Sequence, residues 1–277
     1  MRLLRFILSH SIFIAFAAVA LCFQTNLLLH TAYSLPLYAL VFFATLCGYN
    51  FYWLLSKWYF SKNKQVAEFI KINSSFVAVY IIGFLGCLVF GYLQLALLPY
   101  LFVGAFLTML YALPMLPFSF SKKLQQLGFF KTLLLAFTWA YVTTILSIAF
   151  VSNISTVSIA LLFNARFLFM LLLCIIFDNR DVAIDQQHGL HSLATDLKAG
   201  TIDTIIKIVF VLYCLAGILL RWYMFDDAQM FAFVLTAAVV WWVYLQSKKP
   251  QGYVFYYFFV DGLMIFTSLT TYIASIF

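Results

Sequence analysis

What most constrains this chain is that most of its charges fall in, or at the edges of, short breaks between long apolar runs. Nine segments of 19–27 residues, at roughly 3–29, 34–60, 69–93, 95–117, 128–151, 155–178, 203–224, 228–246 and 252–276, carry few ionisable side chains. About 20 apolar residues cross the hydrocarbon core of a bilayer as a helix, and there every backbone N–H and C=O must be paired within the segment. The expected fold is therefore all-α: a polytopic membrane protein of nine transmembrane helices, with residues 1–277 as a single integral membrane domain. Breaks are marked by Pro36, Lys62-Asn63-Lys64, Pro99, Pro114 and Pro117, Ser152-Asn153, the acidic stretch from Asp178, Asp226-Asp227 and Lys248-Lys249-Pro250. With 66% hydrophobic and 9% charged residues, an ordinary soluble domain is excluded.

Arg2 and Arg5 ahead of an apolar run could announce a secretory signal. The run reaches Leu29, however, longer than a signal h-region, and no small-x-small site follows, so it is read as a retained first helix. Cations recur at the N-terminus and in alternate connections: Lys57, Lys62, Lys64 and Lys71; Lys122, Lys123 and Lys131; Arg180 and Lys198; Lys248 and Lys249. Apart from Arg221, the other connections carry almost none. The positive-inside rule then places the N-terminus in the cytoplasm and the C-terminus on the far side, with the bacterial cytoplasmic membrane as the expected location. The net charge of +7 is explained by this bias and by attraction to anionic membrane lipids, and calls for no nucleic acid. Five cysteines, all in apolar segments and with no CxxC pair, read as packing residues.

Asp178-Asn179-Arg180-Asp181-Val182-Ala183-Ile184-Asp185 closes the sixth apolar segment. On a helix its three carboxylates, at i, i+3 and i+7, fall within about 60° of one face, the outer two about 10 Å apart along the axis. Crowded like charges call for a cation. A divalent metal with oxygen ligands, leaving positions open for a phosphate-bearing substrate, answers that need, and an acidic solvated loop is the alternative. Further on, His188 and His191 lack the additional ligands a zinc site requires. Thr201 and Asp203 read as the cap and first turn of the seventh helix, and Asp196 reads equally as ligand or surface group.

Two charges lie deeper. Arg166 is twelve residues before Asp178, hence about 18 Å further into the membrane, and Asp261 sits among apolar residues of the last segment. Lone charges at such depth cost about 2.5–3.5 kcal/mol on insertion scales. Arg166 and Asp261 are expected either to clamp the sixth helix to the ninth or to face a polar cavity.

The Asp178-x-x-Asp181-x-x-x-Asp185 run, followed by Gly189, Ser192-Leu193-Ala194-Thr195 and Gly200, resembles the second aspartate-rich motif of the UbiA-type intramembrane prenyltransferase superfamily. Tyr111-Ala112-Leu113-Pro114 is similar to that family's Tyr-Ser-x-Pro region, and the basic pair Lys122-Lys123 and Gly128 follow it. The resemblance covers most of the chain, from the second helix to the seventh, and nine helices agree with it. It implies a UbiA-like bundle in which Mg²⁺, held by two aspartate motifs, binds a polyprenyl diphosphate. The isoprenyl group then passes to an aromatic or lipid acceptor. For this chain it implies Asp181 and Tyr111 as catalytic residues, Asn50, Lys122, Lys123 and Arg180 as substrate-binding residues, and Asp178, Asp181 and Asp185 as metal ligands.

The first motif departs from the family. Asn50 stands where it should, but its aspartate positions are Leu54 and Trp58, and no carboxylate precedes Glu68. Two function classes follow: a membrane prenyltransferase working with one aspartate motif, or a non-catalytic UbiA-like subunit that binds lipid or partner proteins in a complex. A transporter is disfavoured, because no pair of interrupted helices stands at corresponding positions of two halves.

Overall fold

In the computed structural model, residues 2–61, 65–112, 128–149, 151, 154–187 and 191–277 are described. Lys122, Lys123, Pro114, Pro117, His188 and Gly189 lie outside them. Among the described residues the structure is helical, with no strand.

Side-chain caps open some of the helices, and bends or short turns divide others. Arg2–Ser9 (α1) and Ile12–Leu28 (α2) form one apolar stretch bent by 62°. The bend lies at Ser11, whose φ of 63° is the left-handed region that an L-residue rarely enters. Leu35–Tyr59 (α3) opens on Ser34, whose side chain accepts from the Leu37 N–H, and Pro36 occupies the first turn where its missing donor costs nothing. Val66–Ile72 (α4) leads into Ser74–Tyr92 (α5), and Leu98–Ala112 (α6) follows a short 3₁₀ turn. Gly128–Ala140 (α7) continues through a π-helical segment, Tyr141–Ile145. Thr156–Gln187 (α8) is followed by the short Leu193–Asp196 (α9) and by Ala199–Tyr223 (α10). Asp227–Ser247 (α11) is capped by Asp226, which accepts from the Gln229 N–H at 2.7 Å. A second π segment, Phe255–Val260, runs into Asp261–Ala274 (α12).

Among the described residues seven helices are long and apolar enough to cross a membrane, and α1 with α2 makes an eighth if the bent pair is one span. The fourth expected span corresponds to the shorter apolar helix Leu95–Tyr111, and its continuation beyond Ala112 falls outside the described residues. Helices that qualify by length therefore number seven or eight, where the sequence suggested nine. Lys198 stands at the N-cap of α10 and the helix begins at Ala199, ahead of the start expected at Thr201. Asp203 is drawn into ion pairs with Lys207, at 2.6 Å, and Lys248, and into a hydrogen bond from Tyr244, which ties α10 to α11.

Helix α8 is the central pillar. Leu171, Leu172, Leu173, Cys174, Ile175 and Ile176 are all buried, so this stretch is apolar on every side and packed on every side. Its neighbours are α7, α10 and the short α9, while α2 pairs with α12 and α3 with α5. Gly83 allows the last of these contacts, since a Cβ there would stand 2.9 Å from the Cys47 backbone nitrogen.

Polar side chains stitch the apolar helices together, as in lipid they must where close backbones replace hydrophobic drive. Gln24 Nε2 donates to Thr271 Oγ1 at 2.8 Å and to Thr267, joining α2 to α12. The π segment at Tyr141–Ile145 disturbs the helix ladder, and the Thr143 carbonyl accepts from Thr25 Oγ1 at 2.7 Å. Asn26 completes the seam: its Nδ2 reaches the Ser147 carbonyl at 3.2 Å, and its Oδ1 accepts from Tyr38 Oη at 2.8 Å.

Candidate functional site at the end of the central helix

The acidic run continues α8 beyond its buried stretch, so Asp178, Arg180, Asp181 and Asp185 emerge at one end of the bundle on a rigid support. Gly128, the first residue of α7, lies so close to the segment after α8 that a Cβ would sit 2.5 Å from the Ser192 backbone. Only glycine permits that approach. It brings the first turn of α7, with Lys131 and Thr132, alongside the carboxylates.

Asp178 Oδ2 accepts from Thr132 Oγ1 at 2.5 Å. Lys131 lies within electrostatic reach of both Asp178 and Asp185, and its ammonium stands 5.5 Å from the centre of the Tyr111 ring. Tyr52, from α3, is a hydrogen-bond partner of Lys131 and of Tyr111, with the two tyrosine rings 5.1 Å apart. Deeper on the same face of α3, Tyr49 Oη accepts from Trp139 Nε1 at 3.1 Å.

Arg180 forms a second centre. Its Nε and Nη2 donate to the two oxygens of Asp181, each at 2.6 Å. The guanidinium carbon lies 4.8 Å from the ring centre of Tyr257, 4.9 Å from that of Phe177 and 5.1 Å from that of Tyr256, an aromatic cage closed by a 3.4 Å hydrogen bond to Tyr257 Oη. Two of those rings come from the π segment before α12, which also leads into the buried Asp261.

The residues singled out in the sequence separate into three groups. Asp178, Asp181, Arg180, Asp185 and Tyr111 meet at this end. Lys122 and Lys123 fall outside the described residues. Asn50 is buried elsewhere: its Nδ2 donates to the His10 carbonyl at 2.9 Å and the Leu46 carbonyl at 2.8 Å, bracing the bend between α1 and α2. At about 100° per residue Asn50 points some 100° away from Tyr49 and 160° from Tyr52. Trp58 packs its ring edge-on to Phe69, 5.2 Å between centres. The face of α3 that meets the polar cluster thus carries tyrosine hydroxyls, whereas the Asn50, Leu54, Trp58 face looks toward α1 and α4. Lys131, Thr132, Tyr49 and Tyr52 were not anticipated; the available signal was a lysine and a threonine in the first turn after Gly128, and tyrosines three apart on one helix.

The arrangement also bears on Mg²⁺. Both oxygens of Asp181 are taken by Arg180, Asp178 accepts from Thr132, and Asp185 answers the Lys131 charge. Among the described residues no three His, Cys, Asp or Glu side chains converge as a metal site. As they stand, these side chains do not fit a divalent ion. The clamp between Arg166 and Asp261 is not made either: Arg166 reaches Leu21 and Thr25 on α2, and the cation within reach of Asp261 is Arg180.

No family model and no curated protein matches the sequence. Solved structures with the same arrangement of helices include a UbiA homologue from Aeropyrum pernix K1 in its apo form, at a TM-score of 0.66 and 14% identity over 97% of this chain and 98% of that one. A digeranylgeranylglyceryl phosphate synthase aligns over 100% of this chain and 99% of its own, at a TM-score of 0.58 and 14% identity. A likeness that spans both chains end to end, joined to seven or eight apolar helices, makes this an integral membrane protein with the UbiA-type prenyltransferase fold.

Proposed function

We propose that this protein binds a polyprenyl diphosphate at the end of α8 and transfers its isoprenyl group to an aromatic or lipid acceptor. The observation that carries this reading is the Lys131 ammonium set beside the Tyr52 hydroxyl and the face of Tyr111, within electrostatic reach of the Asp178 and Asp185 carboxylates. A diphosphate leaving group gains charge as its C1–O bond breaks, and a lysine with two phenol donors stabilises that charge where it develops. The allylic carbon becomes cationic at the same moment, and the π faces of Tyr49, Trp139 and Phe177 suit it. The isoprenoid tail has apolar helix surfaces open to lipid alongside.

The proposed orientation puts this end in the cytoplasm, where soluble diphosphates are made, because Arg180, Lys131 and Lys198 cluster there. The Asp178, Asp181 and Asp185 set is proposed as an acidic counterpart that positions Lys131 and Arg180, and magnesium dependence is an outcome of the test.

One observation favours a second reading, a non-catalytic subunit that binds an isoprenoid lipid or a partner protein. Asp181 is fully engaged by Arg180, and the α3 face toward the cluster carries no acid. Purified protein incubated with labelled prenyl diphosphates, with Mg²⁺ or with EDTA, separates the two. Saturable binding lost in Lys131→Met, with label transferred to an acceptor and lost in Asp181→Ala, supports the enzyme. Binding without transfer supports the subunit, and no binding by the wild type sinks the diphosphate reading.

A further inference from the structure

Arg166 is the one charge of α8 that lies deep within the bundle, about 15 Å from the start of the helix and about 18 Å from Asp178. It is 5% exposed, so its guanidinium is out of water. Its Nη2 makes two long contacts, 3.5 Å to the Leu21 carbonyl and 3.4 Å to Thr25 Oγ1, both beyond the range of strong N–H···O bonds. Its Nη1 is buried and has no acceptor among the described residues.

Beside it lies a cavity of about 40 Å³. Leu162, Ala165 and Phe169 of α8 wall it on one side and Phe225 and Phe233 on the other; Gln24, Tyr213 and Thr267 add polar groups, and no lining residue is a carboxylate. Gln24 spends its amide hydrogens on Thr267 and Thr271, so it cannot be the source of the imbalance. What remains is a full positive charge in a medium of low dielectric, with spare donors and no negative partner among the described residues. Water can fill donors but leaves the charge unbalanced. An anion does both, and its attraction to the guanidinium is strong where little solvent screens it.

We propose that Arg166 and this cavity form a binding site for a small inorganic monoanion of halide size. The size follows from the space: a water needs about 10–15 Å³ of such volume, so the cavity of about 40 Å³ suits a halide with a water or two. The halide sits in the cavity that Arg166 lines, beside the guanidinium and the apolar wall. The site stands on different residues from the polar cluster at the end of α8 and is independent of what that cluster does.

The test uses the full chain in a non-ionic detergent, exchanged into sodium gluconate and titrated with chloride or bromide at constant ionic strength, with thermal unfolding followed by tryptophan fluorescence. A ligand that binds only the folded protein raises its Tm with concentration, and the expected rise is saturable, about 3 °C for either halide. Arg166→Met should show none. A Tm indifferent to the anion overturns the proposal, and so does an equal rise in wild type and Arg166→Met. Equilibrium dialysis of the wild-type protein against radioactive chloride probes the site without any variant: retention of one ion per chain is expected, and retention no greater than that of a detergent blank overturns the site.

Discussion

Helix α8 carries two arginines in opposite circumstances, and the contrast separates a charge that holds structure from one that awaits a ligand. Arg180 is matched on every side: two carboxylate oxygens at 2.6 Å, three aromatic faces and a tyrosine hydroxyl. Arg166 is matched on none, with two long contacts and an orphaned nitrogen. Proximity to other charges does not explain the difference alone, because Asp178 is also crowded by like charge yet keeps Thr132 and Lys131. The fold supplies charged partners at the end of the helix, where chain connections converge, and at its middle offers Arg166 only neutral groups, Thr25, Gln24, Tyr213 and Thr267 among them.

The largest expected effect is the divergence of two identical substitutions. Arg180→Met removes one member of an ion pair and leaves Asp181 with no cation, while also emptying an aromatic cage. Side-chain exposures of 21% and 29% discount the full cost of breaking a buried pair, which leaves a loss of about 2 kcal/mol. Arg166→Met, measured in gluconate without halide, removes an unbalanced charge and strands nothing, so stability stays within about 0.5 kcal/mol of wild type or rises. Thermal unfolding of both variants in one buffer checks this. Equal losses would show that Arg166 has a protein partner after all.

How far the sequence speaks depends on whether a property is set within one segment or between segments. The membrane class, most of the helix bounds and the triad at the end of α8 were legible because apolar length and i, i+3, i+7 spacing are local. The role of α3 was not. Reading Asn50, Leu54 and Trp58 as the half of the site that had lost its acids assumed that this face looks inward. The structure turns Tyr49 and Tyr52 inward instead and commits Asn50 to the His10 carbonyl. Facing is decided by how α3 packs on α2 and α5, and all sides of α3 are apolar enough to be buried. Of the two arrangements expected for the deep charges, mutual pairing is not made, for the same reason, whereas Arg166 does line a cavity with Gln24, Tyr213 and Thr267. Burial cost says that Arg166 and Asp261 need company, and only the bundle geometry says they do not find each other.

A smaller effect sharpens the account of the matched end. Thr132 gives its hydroxyl hydrogen to Asp178, so Thr132→Val leaves a carboxylate one donor short at a part-buried site, a loss of about 1–2 kcal/mol. Thr138, two turns along α7, only returns its hydroxyl to the Leu134 carbonyl of its own helix at 2.7 Å. Thr138→Val should therefore change stability by no more than about 0.5 kcal/mol. If unfolding midpoints of the two variants coincide, the Asp178 contact holds nothing.

The smallest effect tests which face of α3 belongs to the site. Tyr52→Phe keeps the ring against Tyr111 but removes the hydroxyl from Lys131, and one hydrogen bond to a charged group corresponds to about 1 kcal/mol after exchange with water. Affinity for a labelled prenyl diphosphate should fall about five-fold. Trp58→Phe, on the face turned to Phe69, should leave that affinity unchanged while preserving an aromatic contact. The reverse result, a loss at Trp58 and none at Tyr52, would put the ligand on the Asn50, Leu54, Trp58 side of the helix and dissolve the link between Lys131 and substrate, because no ligand on that side can also touch the α7 turn that carries Lys131.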